Sequence, residues 1–449
     1  MKHRGRHRRR RRGRALRASL AGTALALTAA ATLISTSQAA GGETPGGLSS
    51  ITSSAELREL QLRESLTDET ALDNLTTEMG GSVGVEDVLT SANHVMRDES
   101  DCYATEKASL PVEPAVSRAY CWDPADAANA KWLPRSVATS RNNQVILSGW
   151  THAGDDGSGV TGEEGLARVA FVDARDPGNL KYRWVLLVMP QADGKGFEAV
   201  RSRLGGMVWY EDKLIVTAQG AESTGRRDDS LYVFDLGRLL RADVTDSDAI
   251  GEVEDGWSAH HYRYAMPAIA SYTPASGGSC DARDNEGVPC FGSLTLDRTS
   301  TPPSVVANEW FGPSREQHAR IWRYGLDTVA DRTGLLTTGR HGGVAPTEAY
   351  ETEAAGVRGA FSHQGNWYVG QGAEERDARG TLWSQDENRA RAAKCPGERT
   401  GSTSYACWGL HTASLSYSPE TDELWTLSGP IPERVLYSVR LSDVDSSLG

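Results

Sequence analysis

The run Gly205-Gly206-Met207-Val208-Trp209-Tyr210-Glu211-Asp212-Lys213-Leu214-Ile215-Val216-Thr217 opens on small residues. An apolar segment follows, a polar pair turns the chain, and a second apolar segment returns. This order reads as a β-hairpin whose first strand is packed on both faces. Similar phrases begin at Ser136 (SVATSRNNQVILSG), Gly292 (GSLTLDRTSTPPSVVANE), Gly359 (GAFSHQGNWYVGQ) and Ala413 (ASLSYSPETDELWTLS). Recurrence of one supersecondary unit marks a repeat architecture.

Working outward, each hairpin is followed by a third apolar run: 167–173, 230–235, 319–324, 380–384 and 435–441. Fourth strands are expected at 182–189, 261–272, 347–352 and around 405–408. The fifth unit ends after its third strand, and Ala119-Tyr120-Cys121-Trp122 is positioned to supply the missing fourth. Such closure between chain ends removes the open edges of a propeller. The units start 70, 86, 67 and 54 residues apart (from 136, 206, 292, 359 and 413). That exceeds the roughly 40–45 residues of a minimal four-stranded blade, so the excess is insertion. The expected fold is all-β: a five-bladed propeller over 119–449, with six blades as the alternative if 237–258 conceals degenerate strands. The small residues Ser136, Gly206, Gly292, Gly359 and Ala413 suit a crowded centre where innermost strands converge. A β-sandwich does not predict five hairpins with small residues at one place.

The run from Gly205 to Leu214, followed by Tyr232-Val233-Phe234-Asp235-Leu236, resembles a group of secreted, functionally unassigned propeller-type proteins of high-GC Gram-positive bacteria. Phe171-Val172-Asp173 with Tyr182-Arg183-Trp184-Val185-Leu186-Leu187-Val188 matches that pattern too. The resemblance covers about 119 to the C-terminus and implies the fold; it brings no catalytic residues. In the group a His often precedes the small-Gly-Gly step, where this chain has Arg203-Leu204.

Residues 1–40 read as a secretory signal peptide: ten Lys or Arg and no acid over 2–17, an Ala-rich apolar run over 15–33, then Ser37-Gln38-Ala39. Arg17, Ser19, Thr23 and Thr28 dilute the run against a membrane span. The whole chain has 47 basic and 60 acidic residues; without those ten it has 37 against 60, or −23. Such an acidic protein repels phosphate backbones, so nucleic acid is not an expected partner. Six cysteines in an exported chain are read as disulfides. Sequence proximity favours Cys102–Cys121, Cys280–Cys290 and Cys395–Cys407. An extracellular monomer with no membrane span after cleavage follows.

Residues 41–53 read as a flexible leader. From Ser54 the leucines Leu57, Leu60, Leu62, Leu66, Leu72 and Leu75 favour a helical stripe, with a second short helix over 85–96. The region 54–118 is thus expected to be helical and to stand outside the ring.

Loops joining strands two and three, and strand four to the next strand one, share one face of a propeller, where sites are usually built. They gather Trp150, His152, Arg203, Glu222, Glu309, Trp310, Gln371 and His411, with Asp155, Asp156, Phe311 and the two disulfide loops nearby. Exposed aromatics among polar groups suit a glycan or protein partner. The alternative is a glycoside-hydrolase-like enzyme with carboxylates at the channel mouth, for which Glu309, Glu222 or Asp155 are the available acids. No first strand delivers an acid to the channel, so binding is preferred and no catalytic residue is assigned. Gly157-Ser158-Gly159-Val160-Thr161-Gly162 spells a dinucleotide fingerprint but lacks the strand–turn–helix context. Asp243, Asp246, Asp248, Glu252 and Glu254 offer oxygen for calcium without EF-hand spacing, and His260-His261 on a strand point opposite ways. No metal site or cofactor is expected, calcium being the one option kept open.

Overall fold

The computed structural model describes residues 44–153, 163–218, 230–282, 287–311, 318–373, 375–397 and 401–449. The fold is a propeller-like arrangement of antiparallel sheets. The first sheet runs Trp132–Thr139, Val145–His152, Ala167–Asp173 and Lys181–Pro190, each strand paired to the next. The second runs Met207–Tyr210, Lys213–Thr217, Leu231–Asp235 and Tyr264–Pro274. Phe291–Asp297, Ser304–Glu309, Ala319–Gly325 and Glu348–Thr352 make the third. Val357–His363, Asn366–Gln371, Thr381–Gln385 and Ala390–Arg391 make the fourth. In the fifth, Ser416–Ser418, Glu423–Leu427 and Val435–Arg440 are completed by Arg118–Cys121, with Cys121 opposite Val435. The N-terminal closing strand is where its sequence placed it.

The strands are rich in Val, Ile, Leu and aromatics because both faces are covered. Met207, Leu214 and Val216 join Leu147, Val169 and Val185 in one apolar cluster. Their neighbours Val208, Ile215 and Val233 join Leu294, Val305 and Trp322 in the next. Val306 and Ile321 meet Ala360, Trp367 and Val369. Phe361 and Tyr368 meet Leu415, Leu424 and Tyr437. Trp425 and Leu436 meet Val137, Ile146 and Trp184 of the first sheet. Each sheet therefore packs between its two neighbours, and the last returns to the first. Strand alternation makes this possible, since successive residues point to opposite faces.

Four expectations change. The fourth strand of the fourth sheet is Ala390–Arg391, not 405–408, which spans the end of the loop closed by Cys395–Cys407. Residues 237–258 hold Leu239–Arg241 and the two-stranded Ile250–Val253/Gly256–Ala259 hairpin, not a further four-stranded unit. The outer strand Tyr264–Pro274 also pairs in parallel with the first sheet, Leu187 opposite Met266, so the outer edges of two sheets are fused.

The fourth change concerns the N-terminal region, which is neither a loose leader nor a separate helical unit. Its helices Ser54–Glu59, Glu69–Glu78 and Val85–Thr90 alternate with short edge strands. Ser49–Ser50 extends the third sheet, Leu62–Leu66 the second, His94–Val95 the first and Arg97–Asp98 the fifth. The leucine spacing mixes two periods, because Leu62 and Leu66 sit on a strand and Leu72 and Leu75 on a helix. The three local disulfides are present. Among the described residues no helix is long and apolar enough to cross a membrane.

Candidate functional site

The innermost strands meet at the centre, and the small residues are there because nothing larger fits. A Cβ on Gly206 would lie 2.0 Å from the Leu294 backbone nitrogen. One residue upstream of the small position the five repeats carry Arg135, Gly205, Phe291, Arg358 and Thr412. All five line a single cavity of about 330 Å³, together with Arg203, Trp310 and His411. Equivalent positions of every repeat thus converge at one end of the central axis.

The cavity is cationic. Burial together with the charges of Arg203 and Arg358 pushes the Arg135 guanidinium down to about 10. Burial and Arg203 push Arg358 down as well. The Nε of Arg135 is buried with no hydrogen-bond partner among the described residues. Arg203 lies 4.4 Å from the centroid of the Trp310 ring. No carboxylate lines the cavity among the described residues. Like charges held close disfavour one another, and an anion entering the cavity relieves that repulsion. A planar guanidinium also matches carboxylate or sulfate oxygens two at a time.

Of the residues singled out from sequence, Arg203, Trp310 and His411 reach this cavity. His411 Nε2 sits 3.5 Å from the Glu433 carboxylate. The others go elsewhere. Trp150 is fully buried rather than in a loop: it meets Trp122 and Trp184 edge-on at 5.0 and 5.1 Å, and its Nε1 donates to Ser148. Phe311 is buried too. Gln371 accepts from Trp383 Nε1 at 2.7 Å, a packing contact. Glu309 is buried and paired with Arg320 through two hydrogen bonds. Burial pushes its carboxyl up from the ordinary value while the guanidinium opposes that shift. Glu222, Asp155, Asp156 and the Gly157–Gly162 fingerprint lie outside the described residues.

His152 is buried at the end of its strand, with Nε2 3.5 Å from Glu163. His260 and His261 are in a turn, both at positive φ, rather than on a strand. Of the acids weighed for calcium, Asp248 alone belongs to a ligand-type cluster, with Glu163 and His260. Arg135 and Arg358 were missed. Their signal is an Arg directly before the small residue in two of the five phrases, visible once the phrases are aligned.

No protein-family model matches the chain, and no curated protein matches it. Similar solved structures include Sqt1 from Chaetomium thermophilum, at 8% identity over 69% of this chain and 62% of that one, TM-score 0.28. The Dos1 propeller is 12% identical over 69% and 68%, TM-score 0.27. The GH43_1 enzyme from Xanthomonas citri complexed with xylotriose is 10% identical over 75% and 93%, TM-score 0.31. This chain spans about 62% of the length of the Sqt1 chain. At these identities and scores none of them bears on ligand or reaction.

Proposed function

We propose that this protein is an exported, monomeric five-bladed β-propeller, of the secreted Gram-positive kind its repeat resembles. Its role is to bind an anionic glycan where its innermost strands begin. The blade count is supported by the cyclic order of the five apolar clusters. Export is supported by the basic and apolar leader and three disulfides. The observation that carries the binding reading is Arg135, Arg203 and Arg358 around one cavity whose described wall holds no carboxylate. With a pKa of about 10, Arg135 stays charged at neutral pH. The Trp310 ring offers an apolar face of the kind that stacks on a sugar. A cationic recess in a chain of net charge −23 without its leader (37 basic against 60 acidic residues) concentrates a small anion while the rest of the surface repels polyanions.

The test is titration calorimetry with uronic-acid and sulfated oligosaccharides beside their neutral counterparts. Acidic sugars should bind, more weakly at high salt, and neutral ones should not. Arg135→Gln and Arg358→Gln should each lose about 10- to 100-fold, the worth of a charge-assisted hydrogen bond. Equal binding of neutral sugars, or unchanged affinity in both variants, sinks the reading. Binding of acidic peptides alone would move the partner to a protein, and release of reducing ends would favour the hydrolase reading.

A further inference from the structure

We propose that Glu163, Asp248 and His260, with His152 beside them, form a binding site for a divalent transition-metal ion of the zinc class. Glu163 Oε2 is 3.5 Å from His152 Nε2, and Glu163 Oε1 is 3.5 Å from His260 Nε2. A charge-assisted N–H···O bond is roughly 2.7–2.9 Å long, so these contacts are too open for one. The His260–Glu163 contact matches the edge of a coordination tetrahedron instead. Nitrogen and oxygen ligands about 2.1 Å from a zinc ion lie about 3.4 Å apart. Ligand atoms of Glu163, Asp248 and His260 all fall within 4.8 Å of one another, and His152 faces the second oxygen of Glu163.

The surroundings are those of a held ligand set. Metal-bound histidines usually donate their second ring nitrogen to a carbonyl or carboxylate, which fixes the tautomer. Nδ1 of His260 lies 3.0 Å from the Asp248 carbonyl, leaving Nε2 to face Glu163. His261 Nε2 is 2.6 Å from Asp248 Oδ1 and holds that carboxylate in place. Both histidines keep left-handed backbone, at φ 50 and 68. Non-glycine residues are uncommon in that region and cluster at functional sites. Here the turn is what lets two successive histidines serve the same cluster. His152 is fixed from the other side by the edge of Trp132, 5.1 Å between ring centroids. Its Nδ1 is buried with no partner among the described residues. Glu163 is one-third exposed, so the ion has an entry path, and exposed Lys131, 3.9 Å from it, is free to swing aside.

The cluster adjoins the cationic cavity. Trp132 and His152 pair across the first sheet, and Leu133 to Arg135 of the same strand line the cavity wall. Its ligand chemistry is the opposite: imidazole and carboxylate take a cation, guanidinium takes an anion. The proposal does not depend on the glycan reading.

Zinc chloride titrated into tag-free, chelator-dialysed protein should bind one ion per chain and raise the melting temperature. Cobalt should bind likewise and give the intense visible absorption of a tetrahedral site. Magnesium and calcium should not compete, being hard ions that favour all-oxygen cages. Losing an outer-shell partner typically weakens a metal about 10- to 100-fold. Glu163→Gln and His260→Gln remove ligands and should lose about 100-fold or more, and Asp248→Asn about 10-fold or more. Glu163 sits in a turn and is one-third exposed, so its variant should keep the fold and serves as the decisive one. No zinc binding by the wild-type chain, or undiminished binding by folded Glu163→Gln, overturns the proposal.

Discussion

Arg320 grips Glu309 side-on within the third sheet: Nε donates to Oε2 at 2.8 Å and Nη2 to Oε1 at 2.5 Å. The Arg320 backbone N–H adds a third contact to Oε2 at 3.3 Å, and Nη1 donates to the Gly287 carbonyl. Both side chains are buried, so each is the other's compensation. Removing one partner of such a pair leaves a buried charge and costs about 3–5 kcal/mol. Glu309→Gln should therefore lower the urea midpoint while leaving acidic-glycan affinity per folded molecule unchanged. A fully stable Glu309→Gln protein that lost binding or turnover would return Glu309 to the site.

Gly206 carries a second prediction. Its missing Cβ is replaced by the backbone of Ser293 and Leu294, neither of which is the end of a flexible side chain. Gly206→Ala must push two inner strands apart and should cost about 1–3 kcal/mol, as overpacking does. Gly178 is the control, since the nearest atom to its Cβ position is Asp176 Oδ1 at 3.6 Å. Gly178→Ala should be neutral, or stabilise by about 0.4–1 kcal/mol through the unfolded chain. Equal effects at both positions would refute the crowding argument.

The hairpins, the closing strand before Trp122 and the three local disulfides were legible because each is a local pattern. Fixed spacing, apolar runs and cysteine proximity need no knowledge of distant contacts. The edge strands of the N-terminal region were not legible. Ser49–Ser50 and His94–Val95 are two residues each and exist only because a sheet edge lies beside them. The site was half legible. Arg203, Trp310 and His411 belong to loops on the expected face, whereas Trp150 reads as a loop aromatic and is core. The difference is strand length: Val145–His152 runs on past the apolar stretch, carrying Trp150 and His152 inside. His260 joins Glu163 only through a turn the sequence did not announce.

Removing residues 44–66 should destabilise the propeller rather than trim a tail. The segment buries Leu48, Leu60 and Leu62 and caps the outer strands of the second and third sheets. Each buried leucine is worth about 1.5–3 kcal/mol. The bared edges also become templates for pairing with another chain. We expect a lower urea midpoint and concentration-dependent association by light scattering. A truncated protein as stable and monodisperse as the full chain would show that these strands only decorate the sheets.

Stability should fall on mild acidification through two half-buried histidines away from either site. Burial pushes His94 below its ordinary value against the pull of Asp126 and Asp123, with Arg168 and Arg183 adding to the shift. His94 stacks on Tyr182 at 4.8 Å and stands edge-on to Trp184. Burial likewise lowers His363, which faces Tyr417 and feels Asp297, Asp445 and Asp422. For each, the unfolded chain binds a proton near pH 6.5 that the folded chain resists. The unfolded state therefore holds more protons just below that pH, and stability rises with pH through this window. It should be complete near pH 7 and drop as pH falls from about 6.5, by at most about 1.4 kcal/mol per unit for each histidine. The lowered carboxyls of Asp98, Asp173 and Asp386 act in a separate window, below their ordinary 3.8. Urea midpoints between pH 7.5 and 5 read the difference, and His94→Gln with His363→Gln should flatten the slope. A slope unchanged in the double variant would assign the acid sensitivity to other groups.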